Sequence, residues 1–387
     1  MRQLDFVKKY CRYLINRTNR RDASTWVFGE WFGKRTGDNV TYFANYLAQT
    51  HPELELYWLC AACCDTSALD GRIRILDYAS EEAVAVSRRA AVAVMGEGIA
   101  DLSPDISNYF GNAVKVNLWH GIPWKKIGHD AEKGQAMPII EGMRRRMYRY
   151  DLFETPSDEY SSRVATGFDA RPEGLVKAGL PRNRLFYDAE AVAACRDKLF
   201  QRIGAQYATV IAYLPTFRDA GTKPFSFTDV RDPAFLDWLE ARDAVVIQKA
   251  HAAQAGDFEA GSGRVLNVPD IPAQELMAAS DMLVTDYSSC FFDYLLLDRP
   301  IVHYLYDYDF YKDRDRGLYY EKEEVVCGSA PETVPELVRA IRENIENPGL
   351  NRPLRQERMR RFMTYEGPDS CERIAERILR TLEESKR

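Results

Sequence analysis

What this 387-residue sequence lacks narrows its identity first. No apolar run is long enough to cross a bilayer, and the N-terminus has no uninterrupted apolar core of the kind a secretory signal needs. The eight cysteines are scattered. Only Cys60, Cys63 and Cys64 are grouped, and neither Cys327 nor Cys371 supplies the second pair that a structural zinc would require. Reduced thiols in the cytoplasm are expected, with no metal site assigned. There is no internal repeat and no low-complexity segment. Basic excess is also missing: the net charge of −6 argues against a general nucleic-acid binder.

What is present is globular. Hydrophobic residues make up 46% and charged residues 28%, and the length exceeds what one core supports, so two domains are expected. Against the acidic total, residues 1–21 hold seven bases (among them Lys8, Lys9 and Arg12) and one acid. A second basic cluster contains Arg144, Arg145, Arg146 and Arg149. Each patch reads either as a contact for anionic lipid or phosphate, or as a solvated helix face. Residues 3–16 fit a helix with Leu4, Val7, Cys11, Leu14 and Ile15 on one stripe.

Short apolar runs then alternate with helical stretches. Leu54–Ala61, Ala91–Met95, Val114–Leu118, Leu152–Thr155 and Leu175–Ala178 read as buried strands, with helices at Val40–Gln49 and Glu81–Arg89. After a helix around Ala189–Ile203, a second series follows: Thr209–Leu214, Ala244–Lys249, Met282–Thr285 and Ile301–Tyr304. Helical stretches at Pro331–Asn347 and Pro353–Leu382 close the chain. The rhythm is that of α/β units with parallel sheets. The boundary falls near residues 181–205, giving domains at 1–190 and 191–387. Ligands in such folds bind outside the carboxyl ends of the strands, where the polar motifs lie.

Four motifs carry chemistry. In KVNLWHGIPWKKIGHD a strand ends at Trp119, His120 and Gly121, with Lys125 and Lys126 in the loop. A histidine there can take a proton from a hydroxyl, while Gly121 permits close backbone approach; a satisfied core histidine is the other reading. YLPTFRD offers Arg218 as a phosphate clamp or as half of an Arg–Asp turn pair. VVIQKAH delivers Lys249 and His251 to one side of a strand end. In LVTDYSSCFFDYLLLDRP a strand ends at Thr285. Asp286 follows, and Ser288 is expected to cap an amphipathic helix bearing Phe291, Phe292, Leu295 and Leu296. With Ser289, that helix start would hold a diphosphate. A last segment, YDYDFYKDRDRGLYY, reads as a lid, a ribose contact or a plain surface loop.

Taken in order, the WHG loop, PTFRD, the lysine–histidine strand end, and TDYSS before FFDY and RP resemble the CDP-glycerol glycerophosphotransferase family of teichoic acid primases and polymerases. ETPSDEYSSRVATGFD and GLPRNRLFY resemble its linker region. The resemblance spans roughly residues 90–325 and implies a GT-B fold, two Rossmann-like domains facing across a cleft. Residues 1–190 would be acceptor- and membrane-facing, and 191–387 would bind the CDP donor. It makes His120 the general base and places His251 among the catalytic residues, in a lysine–histidine motif associated with the donor phosphates. Arg218, Lys249, Thr285, Asp286, Ser288 and Ser289 become donor contacts, with Gly121 and Lys125 on the acceptor loop. Ala252 stands where the family's Lys-x-His-Pro motif has proline, and Ile122 where threonine is usual.

The implied substrates are CDP-glycerol or CDP-ribitol and a polyprenyl-diphosphate-linked acceptor. The implied location is the cytoplasmic face of an anionic membrane, contacted by Lys8, Lys9, Arg12, Arg144, Arg145 and Arg146. The CDP-polyol is a co-substrate, no cofactor is firmly implied, and metal dependence is open. The length matches a catalytic core, which favours single additions over long polymerisation. A sugar-nucleotide glycosyltransferase on the same scaffold and an inactive membrane-surface scaffold are the alternatives.

Overall fold

The computed structural model describes residues 3–102, 107–131, 138–216, 225–230, 232–249, 263–314 and 317–385. The chain divides into two compact units. The first comprises Met1–His120, Gly128–Arg184 and Tyr365–Arg387; the second comprises Gly121–Ile127 and Leu185–Thr364. A single boundary at 190/191 therefore assigns three segments differently, residues 121–127, 185–190 and 365–387. Residues 121–127 belong with the second unit because Lys125 bridges to Leu318, Lys126 N donates to the Gly317 carbonyl, and the Trp124 indole donates to that of Tyr320 at 2.8 Å. The helix Ser370–Glu384 belongs with the first unit, where it buries Cys371, Ile374, Ala375 and Ile378 in the core.

The first unit holds seven strands: β1 (Asp22–Gly29), β2 (Glu55–Cys60), β3 (Arg74–Asp77), β4 (Ala90–Met95), β5 (Val114–Asn117), β6 (Leu152–Thr155) and β7 (Leu175–Lys177). Their order is β3-β2-β1-β4-β5-β6-β7, parallel throughout. A parallel sheet is covered on both faces, so its strands are apolar on both sides. Trp26 and Phe28 of β1 enter one core with Val40, Phe43 and Leu47, while Val27 enters the other with Ala83 and Val86. The helix Glu81–Arg89 shows how local chemistry sets an element. The Ser80 hydroxyl accepts from Ala83 N at 3.1 Å, acids fill the first turn and Arg88 and Arg89 the last, matching the helix dipole.

The second unit has β8 (Thr209–Leu214), β9 (Ala244–Gln248), β10 (Val265–Asn267), β11 (Met282–Thr285) and β12 (Ile301–His303), in the parallel order β10-β9-β8-β11-β12. Both sheets share one rule. The first strand is interior, the chain steps outward to one edge, and then it restarts on the other side of that strand. The switch points lie between β1 and β4, and between β8 and β11, where such sheets open a ligand crevice at their carboxyl ends.

Two expectations about helices are corrected. The stretch 353–382 is two helices, Arg352–Phe362 and Ser370–Glu384, separated around Gly367 and Pro368. The N-terminal helix Gln3–Asn16 buries Phe6 and Tyr13 against Met147, so Cys11, Leu14 (39% exposed) and Ile15 (68% exposed) face outward instead of packing inward. Aromatic area explains the choice, since Phe6, Tyr10 and Tyr13 offer the packing partner more surface than the aliphatic stripe does.

Candidate active site

At the first switch point three strand ends converge: Glu30-Trp31-Phe32 after β1, Gly96-Glu97-Gly98 after β4, and Leu118-Trp119-His120 after β5. His120 Nδ1 lies 2.8 Å from Glu97 Oε2, and its ring packs 4.2 Å from that of Trp119 and 5.6 Å from that of Trp31. The backbone beneath it is fixed. The Asn39 side-chain amide donates to the carbonyls of Leu118 at 3.2 Å and Trp119 at 2.8 Å. Arg182 Nη1 donates to the His120 carbonyl at 2.9 Å and to Asp38 Oδ1 at 2.7 Å. These bonds hold Trp119 at φ 44°, a left-handed conformation that costs a non-glycine residue roughly 1–2 kcal/mol.

Burial pushes the His120 pKa down, but the Glu97 carboxylate beside the ring and Asp38 outweigh it, so the net shift is upward. Asp101 ties the neighbouring loops together. Its Oδ2 accepts Gly96 N at 2.9 Å, Glu97 N at 2.7 Å and Gly98 N at 3.2 Å, and its Oδ1 accepts Phe32 N at 2.8 Å. Burial still raises it to about 6. Glu30, fully enclosed, is pushed up to about 8 by burial and by Asp38, despite accepting from Asp38 N at 3.0 Å and from the Thr41 hydroxyl at 2.7 Å. The core-histidine reading fits a different residue. His303 is fully buried, takes Cys327 N at 3.4 Å and is driven down to about 4 by burial, whereas His120 keeps 31% of its side-chain surface.

At the second switch point the Asp286 carboxylate spans β8 and β11. Its Oδ1 accepts Thr216 N at 2.9 Å, the Thr216 hydroxyl at 2.5 Å and Tyr287 N at 2.7 Å. Thr285, expected as a donor contact, is fully buried and gives its hydroxyl to the Leu214 carbonyl at 2.7 Å, so it serves the sheet. Ser288 is not the helix cap. The helix runs Cys290–Tyr294 with Ser289 at the capping position in αR backbone and without a side-chain cap bond; Ser288 Oγ accepts from Cys290 N at 3.4 Å. Nor is the helix amphipathic, because every residue from Phe291 to Leu295 is buried. The Lys249 ammonium donates to the Pro269 carbonyl. Arg218 and His251 lie outside the described residues.

The structure thus brings Asp286 and Thr216 together, with Ser288 and Ser289 following in the same turn. It places His120 in a separate cluster in the first unit. Gly121 and Lys125 fall in the second unit, beside Trp124, whose ring packs 5.6 Å from that of Tyr287. The aromatic segment 306–320 supplies the partners Tyr308 and Tyr320 for this same tryptophan. Lys8, Arg12, Arg144, Arg145 and Arg146 are exposed, and the two basic helices touch through Tyr13 and Met147. Arg145 also pairs with Asp169 at 2.9 Å.

Sequence reasoning missed Glu30, Trp31, Arg35, Asp38, Glu97, Asp101 and Arg182. Glycine–acid pairs at two strand ends, Gly29-Glu30 and Gly96-Glu97, were the available signal. Among the described residues no three His, Cys, Asp or Glu side chains gather in a way that would hold a metal ion, and no helix is long and apolar enough to cross a membrane.

Comparison with known proteins agrees with this arrangement of strands. The chain is 25% identical over 366 residues to the teichoic acid glycerol-phosphate transferase of Staphylococcus aureus (strain NCTC 8325 / PS 47), covering 91% of this chain and 92% of that protein. It is also 25% identical to the teichoic acid poly(glycerol phosphate) polymerase of Bacillus subtilis (strain 168), covering 85% of this chain. There it spans less than half of the relative's length, 45%. A solved structure of the wall teichoic acid polymerase TagF superposes with a TM-score of 0.81 at 22% identity, covering 99% of this chain and 97% of that one, a likeness of fold. The sequence model of the CDP-glycerol:poly(glycerophosphate) glycerophosphotransferases matches residues 11–380, and the chain belongs to that family.

Proposed function

We propose that the chain transfers glycerol phosphate from CDP-glycerol to a hydroxyl of a membrane-bound, polyprenyl-diphosphate-linked acceptor in teichoic acid or capsule-type polymer synthesis, releasing CMP. The observation that carries this reading is His120, partly exposed at the end of β5 and paired with Glu97, inside the span that matches the family. In this reading the imidazole takes the proton of the acceptor hydroxyl as its oxygen forms a bond to the β-phosphorus of the donor. The bond from that phosphorus to the bridging oxygen breaks, and CMP leaves with the electron pair. Glu97 acts through His120: it fixes the ring by Nδ1, leaving Nε2 for the acceptor, and stabilises the imidazolium that forms.

The two-domain GT-B arrangement implied by the sequence is part of the proposal, the first unit supplying the base and the second the donor phosphates. Ser288 and Ser289, beside Asp286, are the described candidates for the diphosphate. Lys249, Arg218 and His251 would add positive charge to the leaving group. Binding at the cytoplasmic face of a membrane is proposed through the N-terminal helix, where outward Leu14 and Ile15 stand among Lys8 and Arg12, next to the Arg144–Arg146 helix. Replacing Leu14 and Ile15 by serine should reduce sedimentation with anionic vesicles.

The decisive assay offers CDP-glycerol, CDP-ribitol and UDP-sugars with a lipid-linked disaccharide acceptor, following nucleotide release and product mass. CMP release with a mass gain of one glycerol phosphate is expected. Turnover of a UDP-sugar with neither CDP-polyol used would overturn the proposal.

A further inference from the structure

The loop after β1 carries features the proposed chemistry leaves unused. Arg35 lies over the Trp31 indole with its Cζ 3.6 Å from the ring centroid, and the same indole lies 5.6 Å from the His120 ring. Stacking occupies the flat face of a guanidinium and leaves its five N–H groups in the plane. Among the described residues none of these N–H groups has a hydrogen-bond or ion-pair partner in the protein. The platform is held on purpose. Trp31 Nε1 donates to Asp38 Oδ2 at 3.1 Å, Gly33 O accepts Ala61 N at 2.8 Å, and the Thr36 hydroxyl donates to the Asp65 carbonyl at 2.9 Å.

Trp31 and Phe32 are both in left-handed backbone, at φ 49° and 56°, and Phe32 is 51% exposed. Two consecutive non-glycine residues in that conformation are a local cost found where the surroundings require a particular geometry, often at ligand sites. The carboxylates near Arg35 also have other partners. Asp38 is paired with Arg182, Glu97 with His120, and Asp101 accepts four backbone N–H groups. Glu30 keeps its proton near neutrality. Burial lowers the Arg35 pKa, while Asp38, Glu97 and Glu30 act on it in the opposite sense and favour its charged form.

We propose that Arg35, stacked on Trp31, is an acceptor-phosphate subsite: it binds the phosphodiester lying one polyol unit back from the hydroxyl that His120 activates. The inference rests on the reading of His120 as base. Its chemical content is a preference for acceptors that already carry a polyol phosphate over those ending in an uncharged sugar. Phosphate suits the planar arginine fork, and the indole that stacks under that fork lies 5.6 Å from the ring of the base.

The test compares wild type, Arg35→Gln and Arg35→Lys on two water-soluble acceptors, a glycan carrying one glycerol phosphate and the same glycan without it. Arg35→Gln should lose about tenfold or more in kcat/KM on the phosphate-bearing acceptor, mostly through KM, and clearly less on the other, the scale of one charge-assisted contact. Arg35→Lys, which keeps charge without the flat face, should recover part of the loss. Equal losses on both acceptors overturn the proposal, as does a rise confined to the KM of the CDP-polyol, which would assign Arg35 to the donor.

Titration of each folded protein with glycerophosphoglycerol and with uncharged diglycerol, read by calorimetry, needs no turnover. Wild type binding the phosphodiester more tightly, with the difference lost in Arg35→Gln, supports the subsite even if the transferase reading failed. No difference between the two probes in wild type sinks the subsite and leaves the transferase reading standing.

Discussion

The two sheets use one strand plan, yet their switch points carry different chemistry. Between β1 and β4 the first unit gathers Glu30, Asp38, Glu97, Asp101, His120 and Arg182 into one buried or half-buried network. Between β8 and β11 the described residues of the second unit are hydroxyls around a single aspartate, Asp286, with Lys249 at the neighbouring strand end. An identical backbone plan supplies the opening; the side chains at the strand ends decide what happens there. In the first crevice Glu30, Asp101 and His120 are all shifted upward. The second presents hydroxyls and backbone N–H groups gathered on the Asp286 carboxylate, the kind of groups the proposed donor site would use.

The sharpest way to break this comparison is His120→Ala. Transfer should fall about 10²–10⁴-fold while the affinity for CDP-glycerol stays near that of wild type, since the histidine is assigned to the acceptor proton. Steady-state CMP release and a separate donor titration check the two halves. A variant that lost donor affinity and kept its turnover number would exchange the roles of the two crevices.

Next in size is Glu97→Gln. Removing the carboxylate beside Nδ1 takes away the main influence holding the His120 pKa up, so the acid limb of the pH–rate profile should move to lower pH and kcat should fall about tenfold. Asp38 remains to hold the pKa up, while burial and the Arg182 guanidinium both act to lower it. A fall in kcat with an unmoved acid limb would show that Glu97 serves only the fold. Exchanging Ser288 and Ser289 for alanine should weaken donor binding by about tenfold, two ordinary hydrogen bonds, and leave the pH profile alone. A displaced profile would mean that the second crevice takes part in proton transfer.

The smallest effect concerns stability. Glu30 holds its proton to about pH 8 in the folded chain against an ordinary value of 4.5, so the folded state binds a proton that the unfolded state has released. Stability from this group is fully present below the unfolded value and is lost as pH rises through that window. Glu30→Gln should flatten the decline of Tm between those two pH values. An unchanged slope would place the titration elsewhere.

Much of this was legible without coordinates. Leu152–Thr155, Thr209–Leu214 and Met282–Thr285 were readable as strands because parallel strands are continuous apolar runs. β1 was not, although it lies in the interior of its sheet, between β2 and β4. Its sequence DASTWVFG opens with polar residues and ends in glycine, so its apolar core is too short to stand out. The helix after Ser289 was misjudged for a related reason. Helical spacing of Phe291, Phe292, Leu295 and Leu296 suggests one apolar face, whereas the packing of the second unit buries the whole segment from 291 to 295.

His120, Asp286, Ser288 and Ser289 could be named from sequence because each sits directly after a strand, where order along the chain and position at the crevice coincide. Glu97, Asp38, Arg182 and Arg35 could not. They are separated from His120 by 23 to 85 positions, and only sheet order places three strand ends and the chain after β7 in one cluster. Local composition therefore settles many of the strands and the residues that end them, though not β1. Pairing between distant strands decides which of those ends meet, because that choice depends on burial of both sheet faces, an energy no short stretch of sequence contains.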